Sequence, residues 1–147
     1  MKRFEIQPFV GALPLRFGMT RDEVHGVVGS PCAVRTNRFG ELDEDYLELS
    51  AGYDKTDAKL CELGFVRSVD VRFRGIDLFR DAGAISQLIE ADSSPLEGLG
   101  FIVFPSLGIA LADFGSEQDT DQAITVFARG RWSDLKHFKP FRLGIRR

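Results

Sequence analysis

Apolar residues recur at helical spacing in two short stretches of the chain. In the first stretch three valines lie at positions i, i+3 and i+4: Val24, Val27 and Val28. Just before them, Thr20 and Glu23 form the Thr-x-x-Glu capping box, in which hydroxyl and carboxylate each accept a hydrogen bond from a backbone amide. Gly29 and Pro31 favour a helix end, since glycine adopts left-handed cap conformations and proline does not continue a helix. The pattern predicts a helix over residues 20–28.

The same spacing recurs about 60 residues further along the chain. Three apolar residues again lie at i, i+3 and i+4: Ile85, Leu88 and Ile89. The pair Ser94-Pro95 follows them, as Ser30-Pro31 follows the first stripe. This stretch predicts a second helix over residues 82–91.

Strand patterns follow each predicted helix. In residues 68–73 apolar and polar residues alternate, which places Val69, Val71 and Phe73 on one face of a half-buried strand. In the first half we expect strands at residues 45–49, 51–53, 60–65 and 68–73. In the second half we expect them at residues 100–104, 107–114 and 123–128, with a polar loop over residues 115–122 before the last.

Each half therefore has a helix followed by an antiparallel meander. The fold class that this order predicts is α+β, with two similar helix-plus-antiparallel-sheet halves packed as one compact unit. The halves would span residues 1–74 and 75–147, the second ending in a basic tail. The alternative is two unrelated α+β segments that share an order of elements. A chain of 147 residues buries roughly 70% of its unfolded surface, which is enough for a hydrophobic core.

The first helix carries a resemblance to known families. Gly18-Met19-Thr20, followed by Glu23-Val24, Val27-Val28-Gly29 and Pro31, resembles the helix signature of the BamE/SmpA and β-lactamase-inhibitor-protein-like domains. The inhibitor-type fold is similar in being a tandem of two helix-plus-sheet units. The resemblance implies a fold that presents a sheet face to another protein. In size and composition the chain also resembles the immunity proteins of bacterial toxin systems.

Charge is distributed unevenly along the chain. Residues 129–147 hold seven Lys/Arg and one acid, a net charge of +6, so residues 1–128 carry −9 of the total of −3. Cations and aromatic rings alternate in this basic tail, a pattern that suits single-stranded nucleic acid. The acidic body would repel such a polyanion, which argues against nucleic acid as a partner. The interpretation favoured is that Trp132, Phe138 and Phe141 pack back onto the sheet.

The sequence carries no recognisable catalytic motif: neither a phosphate loop nor a dinucleotide fingerprint, a nucleophile elbow or a zinc motif is present. Ser133 and Lys136 match Ser-x-x-Lys without its companion motifs. Two acidic pairs are interpreted as solvated loops without metal: Asp43 with Asp45, and Asp119 with Asp121. The histidines and cysteines occur singly, the cysteines as reduced, small apolar residues: His25, His137, Cys32 and Cys61. No cofactor is expected.

An acidic cluster surrounds one aromatic residue, Tyr46. Its members are Glu41, Asp43, Glu44, Asp45 and Glu48. Such a cluster can steer and anchor a basic protein partner, although a solubilising loop has the same composition. The candidate partner-binding residues are Asp43, Glu44, Asp45, Tyr46, Tyr53 and Trp132.

Two functions remain open at this point. The first is a protein-interaction module, an inhibitor or immunity-type protein that acts by binding a partner. The alternative is a small ligand-binding protein or an enzyme whose site forms only in the fold. The basic start of the chain lacks the apolar run of a secretory signal, and no stretch approaches the roughly 20 apolar residues of a membrane span. We therefore expect a cytoplasmic protein.

Overall fold

The structure, a computed structural model, describes residues 3–114 and 121–142. Within those ranges the chain forms two helices, α1 (Arg21–Val28) and α2 (Ala84–Ala91), and fourteen strands. The strands are β1 (Arg3–Gln7), β2 (Gly11–Leu13), β3 (Leu15–Arg16), β4 (Ala33–Thr36), β5 (Leu42–Asp45), β6 (Leu49–Tyr53), β7 (Leu60–Val66), β8 (Asp70–Phe73), β9 (Ile76–Asp77), β10 (Leu96–Gly98), β11 (Phe101–Phe104), β12 (Ile109–Ala112), β13 (Ala123–Phe127) and β14 (Lys139–Pro140). Neither of these helices is long and apolar enough to cross a membrane.

Helix α1 begins with the predicted capping box. The Glu23 amide donates to Thr20 Oγ1 (3.2 Å), and the Thr20 amide donates to Glu23 Oε1 (2.9 Å). Val24 is fully buried, and the other two valines of the stripe are partly buried against the core. The helix predicted over residues 20–28 is thus confirmed.

Helix α2 carries the second apolar stripe without a side-chain cap. Its N-cap is Gly83, which makes no capping hydrogen bond through a side chain. Leu88 is fully buried, and Ile85 and Ile89 pack partly buried against the core. The predicted helix is confirmed and begins at Ala84 rather than at residue 82.

Most strands belong to one antiparallel sheet of nine, in the order β14-β10-β11-β12-β13-β7-β6-β5-β4. Strands β4 to β7 follow α1 as a meander, and strands β10 to β13 follow α2 in the same way. The two meanders meet where β13 pairs with β7, with Val126 opposite Leu63 and Thr125 opposite Gly64. One continuous sheet therefore runs through both parts of the chain.

A second sheet of five strands has the order β3-β2-β1-β8-β9. The burial predicted for Val69, Val71 and Phe73 is confirmed. Their assignment to the first meander was wrong, because β8 pairs in parallel with β1, where Phe4 lies opposite Val71. Strand β1 buries Phe4 and Ile6 and so supplies the apolar partner that β8 requires.

The prediction of a strand at residues 45–49 was also wrong. Strand β5 ends at Asp45 and β6 begins at Leu49, so residues 46–48 form the connecting turn of a hairpin. The Tyr46 amide donates to the Leu49 carbonyl (2.8 Å) across that turn. The acidic segment is therefore a strand followed by a turn rather than a single loop.

The main core draws on both sheets and both helices. Phe4 of β1 and Phe65 of β7 lie with ring centroids 5.0 Å apart, and both are buried in one continuous apolar cluster. The 74/75 boundary predicted between the halves falls in the turn of the β8–β9 hairpin, where Phe73 pairs with Ile76. The helices and antiparallel-rich sheets confirm the α+β class. The similarity of the two halves stays a prediction.

A smaller apolar cluster lies on the opposite face of the nine-stranded sheet. Its buried centre is Val103, Ala110 and Phe127, covered by the segment that follows β13. The Trp132 ring stacks on Phe127 at 5.0 Å and meets Phe101 edge-on at 5.2 Å. The expected packing of the tail aromatics onto the sheet is confirmed for Trp132 and Phe138. Residues 143–147 of the tail, and residues 115–120 of the predicted polar loop, lie outside the described residues.

Candidate functional site

Strand β5 separates the predicted acidic cluster onto two faces. Successive side chains of a strand point to opposite sides of the sheet. Asp43 and Asp45 consequently lie on the outer face, and Glu44 points inward, where it is fully buried. Tyr53 is buried as well. Glu44 and Tyr53 therefore cannot contact a partner directly, which corrects their place in the predicted binding surface.

Four side chains surround the Glu44 carboxylate. Oε2 accepts a hydrogen bond from Arg21 Nε (2.7 Å) and lies 2.8 Å from His25 Nε2. Oε1 accepts from the Tyr53 hydroxyl (2.8 Å) and from the Tyr46 hydroxyl (3.3 Å). Two partners come from α1, one from β6 and one from the β5–β6 turn, so this network holds α1 against the sheet.

The network favours an ionised carboxylate beside neutral phenols. Burial alone would raise the pKa of Glu44, but the hydrogen bonds from Arg21, Tyr53 and His25 outweigh it and lower that pKa below 4.5. Burial, together with the negative charge of Glu44, raises the pKa of Tyr46 to about 12. A carboxylate has about four lone-pair positions, and all four are used here. As arranged, Glu44 fixes helix α1 and offers no free position to a substrate.

The outer face of the nine-stranded sheet brings together residues distant in sequence. Directly opposed residues of neighbouring strands lie on the same face. One row of opposed residues runs Arg35–Asp43–Gly52–Glu62–Phe127, and the next runs Asp45–Ser50–Gly64–Thr125–Ala110. The middle of the second row consists of small side chains that remain partly exposed: Ser50, Gly64 and Thr125. Asp45 forms an ion pair with Arg35 (2.8 Å).

At one side of these rows Arg131 joins the C-terminal segment to the first meander. Its Nη1 and Nη2 form a two-pronged pair with Glu41, the second contact being 2.9 Å, and its Nε donates to Glu62 (3.1 Å). The Trp132 indole also donates to Glu62 (3.0 Å). The hydrogen bonds with Arg131 hold the pKa of Glu41 below its usual range.

At Asp43 the neighbouring cations do not outweigh the effect of burial on the pKa. Burial raises the pKa of Asp43, and the neighbouring negative charge of Glu62 raises it further. Arg35 and Arg131 oppose this effect, but the net direction remains upward. The outer face thus holds a carboxylate beside Glu62 that a further cation would stabilise.

Sequence reasoning missed the residues that organise both clusters. Arg21 and His25 stand four apart on α1, a spacing that places both on one helix face, and this signal could have indicated a shared acidic partner. Nothing in the local sequence indicates that Arg131 reaches Glu41 and Glu62, because those contacts span 90 and 69 residues.

The remaining candidate residues are dispersed. Cys61 is buried, and burial raises the pKa of its thiol to about 11, whereas Cys32 is exposed; both thiols are free. Among the described residues no group of three or more His, Cys, Asp or Glu side chains could hold a metal ion. Asp119, of the second acidic pair, lies outside those residues. No protein-family model, curated protein or solved structure matches the chain significantly.

Proposed function

We propose that the protein binds a basic partner protein through the outer face of its nine-stranded sheet. In this proposal it acts by occupancy, as an inhibitor or immunity-type protein does, and needs no catalytic group. The observation that carries the proposal is the partly exposed pair of central rows, which lies between the Arg35 edge and the segment folded over Phe127.

The central rows provide a platform on which another chain can lie close to the backbone. Ser50, Gly64 and Thr125 project little above the sheet, and the Ser50 hydroxyl lies over Gly64, where a Cβ would approach it to 2.7 Å. Small residues allow a partner to approach, and larger side chains around them supply anchoring contacts. Trp132 and Phe39, the latter 61% exposed, flank a surface depression beside this platform and fit that anchoring role.

The charge of the face favours a cationic partner segment. Four carboxylates lie on or beside the two rows, from Glu41, Asp43, Asp45 and Glu62, and two guanidinium groups, from Arg35 and Arg131, pair with three of them. Asp43 is left with a raised pKa. A Lys or Arg from the partner would relieve this repulsion and steer the encounter.

The test measures binding to partners captured from the source cell with the full chain as bait. Thr125→Arg places a long cation at the centre of the platform and should weaken binding about tenfold or more. Asp43→Lys should slow association and reduce its dependence on salt, because exposed charges act within a Debye length of about 8 Å. Gln87→Arg, on the exposed side of α2, is the matched control and should bind as the wild type does. Equal affinity of all three variants for every captured partner would exclude this face as the binding surface.

We further propose that residues 1–74 and 75–147 form two similar units. The support is the order of elements: α1 precedes β4–β7, α2 precedes β10–β13, and the last strands of the two meanders pair. A pairing of equivalent last strands would place the outer rows about a pseudo-twofold axis, so that both units contribute to one face.

A further inference from the structure

A cavity of about 290 Å³ lies beside the β5–β6 turn, lined by Phe4 of β1 and Val28 of α1 as well as by the turn itself. It opens between the C-terminal end of α1, at Val28, and the β5–β6 turn. Its floor is Phe4, Leu49 and Val69, all buried members of the main core. The cavity therefore gives a small molecule direct access to the apolar interior.

The mouth of the cavity carries an apolar side chain without cover. Leu47, in the β5–β6 turn, lines the cavity and is 89% exposed. The adjacent Tyr46 also lines it while its hydroxyl is directed at Glu44 (3.3 Å). A ligand that filled the cavity would cover Leu47 and pack against the Tyr46 ring, removing apolar surface from water.

The wall of the cavity has a defined charge. Among the described residues, Glu48 is the one charged side chain that lines it. The Glu48 carboxylate accepts a hydrogen bond from the Ser68 hydroxyl (3.3 Å) and forms no ion pair within the described part of the chain. The site thus combines an apolar floor with an exposed carboxylate for which residues 3–114 and 121–142 supply no counterion.

We propose that this cavity binds a small hydrophobic amine. At roughly 30 Å³ for each water-sized group, the volume holds a hydrocarbon body of about eight to ten such groups. The body would occupy the floor at Phe4, Leu49 and Val69, and the protonated nitrogen would pair with Glu48. The ring of Tyr46 can add a cation–π contact to the ammonium group.

Chain length and head group test the proposal separately. Primary alkylamines of four to twelve carbons are titrated into the full-length protein by calorimetry, below their micelle concentrations, beside the matching alcohols and carboxylates. Affinity should rise about fourfold for each methylene and level off at eight to ten carbons, when the cavity is full. At equal length the amine should bind most tightly and the carboxylate least. A continued rise to twelve carbons, or equal affinity for the three head groups, would overturn the assignment.

Two variants locate the ligand. Glu48→Gln should abolish the preference for the amine over the alcohol, whereas Glu90→Gln, on the exposed side of α2, should leave it unchanged. Ser30→Trp fills the mouth from an exposed position and should weaken all three ligand series about tenfold or more. Wild-type binding in Ser30→Trp would place the ligand elsewhere, and an unchanged preference in Glu48→Gln would exclude this carboxylate.

Discussion

Glu44 shows how a single buried charge constrains its neighbours. Moving a carboxylate out of water costs several kcal/mol, and that cost is offset only where hydrogen bonds satisfy the group. Arg21 and His25 serve one oxygen, Tyr46 and Tyr53 the other. Among these four partners, the fully buried Tyr53 can least replace its hydrogen bond to Glu44, since its hydroxyl has no access to water. Its hydrogen bond should therefore contribute directly to stability.

We expect Tyr53→Phe to lower the free energy of unfolding by about 1.5–3 kcal/mol at pH 7, the range for hydrogen bonds to charged groups. The folded-state pKa of Glu44 is below 4.5, so the stability it contributes is present above that value and is lost as pH falls through the folded pKa. The difference between wild type and variant should then shrink. Urea denaturation in steps from pH 7 down to the lowest pH at which the protein still folds measures it, and a difference that stays constant throughout would show that the carboxylate is not the partner that matters.

The sequence could not distinguish Glu44 from the acids around it. Asp43, Glu44 and Asp45 form an unbroken acidic run, which shows none of the apolar alternation by which a strand is recognised. Which carboxylate points inward depends on the pairing of β5 with β6, and that register is a tertiary feature. Composition alone consequently predicted that all of these acidic residues belong to a single exposed cluster.

Helix α1 illustrates an element that its local sequence determines. The capping box, the apolar stripe and the terminal glycine all agree, so local propensity and tertiary packing lead to the same eight-residue helix. In the strands that were not predicted, the local pattern and the tertiary pairing do not agree in this way. Strand β4 is exposed along its whole length, and β1 alternates well but pairs in parallel with β8, 67 residues further along the chain.

Three substitutions in α1 should change stability in different directions. Thr20→Ala should cost about 1 kcal/mol by removing the cap, and Val24→Asp several times more, because it buries an unpaired charge. Gly26→Ala should stabilise the protein by about 0.5–1 kcal/mol, since position 26 lies in the helix and a Cβ there meets nothing within 4 Å. The shift of the denaturant midpoint shows for each variant whether stability falls or rises. A destabilised Gly26→Ala variant would mean that the helix is misplaced.

At the scale of the whole fold, the segment that follows β13 connects the two meanders across the outer face. After β13 the chain folds over Phe127, and Arg131 then reaches Glu41 and Glu62 of the first meander. The sequence indicated the basic character of this segment and the packing of its aromatic rings. It could not indicate that Arg131 of this segment reaches Glu41 and Glu62 of the first meander, because these contacts depend on the pairing of β13 with β7.

Arg131 should therefore determine whether this segment stays on the sheet. Arg131→Ala removes the pair with Glu41 and the bond to Glu62, and we expect a loss of about 2 kcal/mol. Trp132, the only tryptophan in the chain, reports the same event, because its emission should shift to longer wavelength as the indole leaves Phe127.

Arg129→Ala is the control, since Arg129 is exposed and makes a cation–π contact with Phe9 at 4.1 Å, which is worth about 0.5–1 kcal/mol. The pKa of Glu41 is lowered in the fold, so the cost of Arg131→Ala should diminish as pH falls below 4.5. An unshifted emission together with equal losses in the two variants would show that the stacked rings alone hold the segment in place.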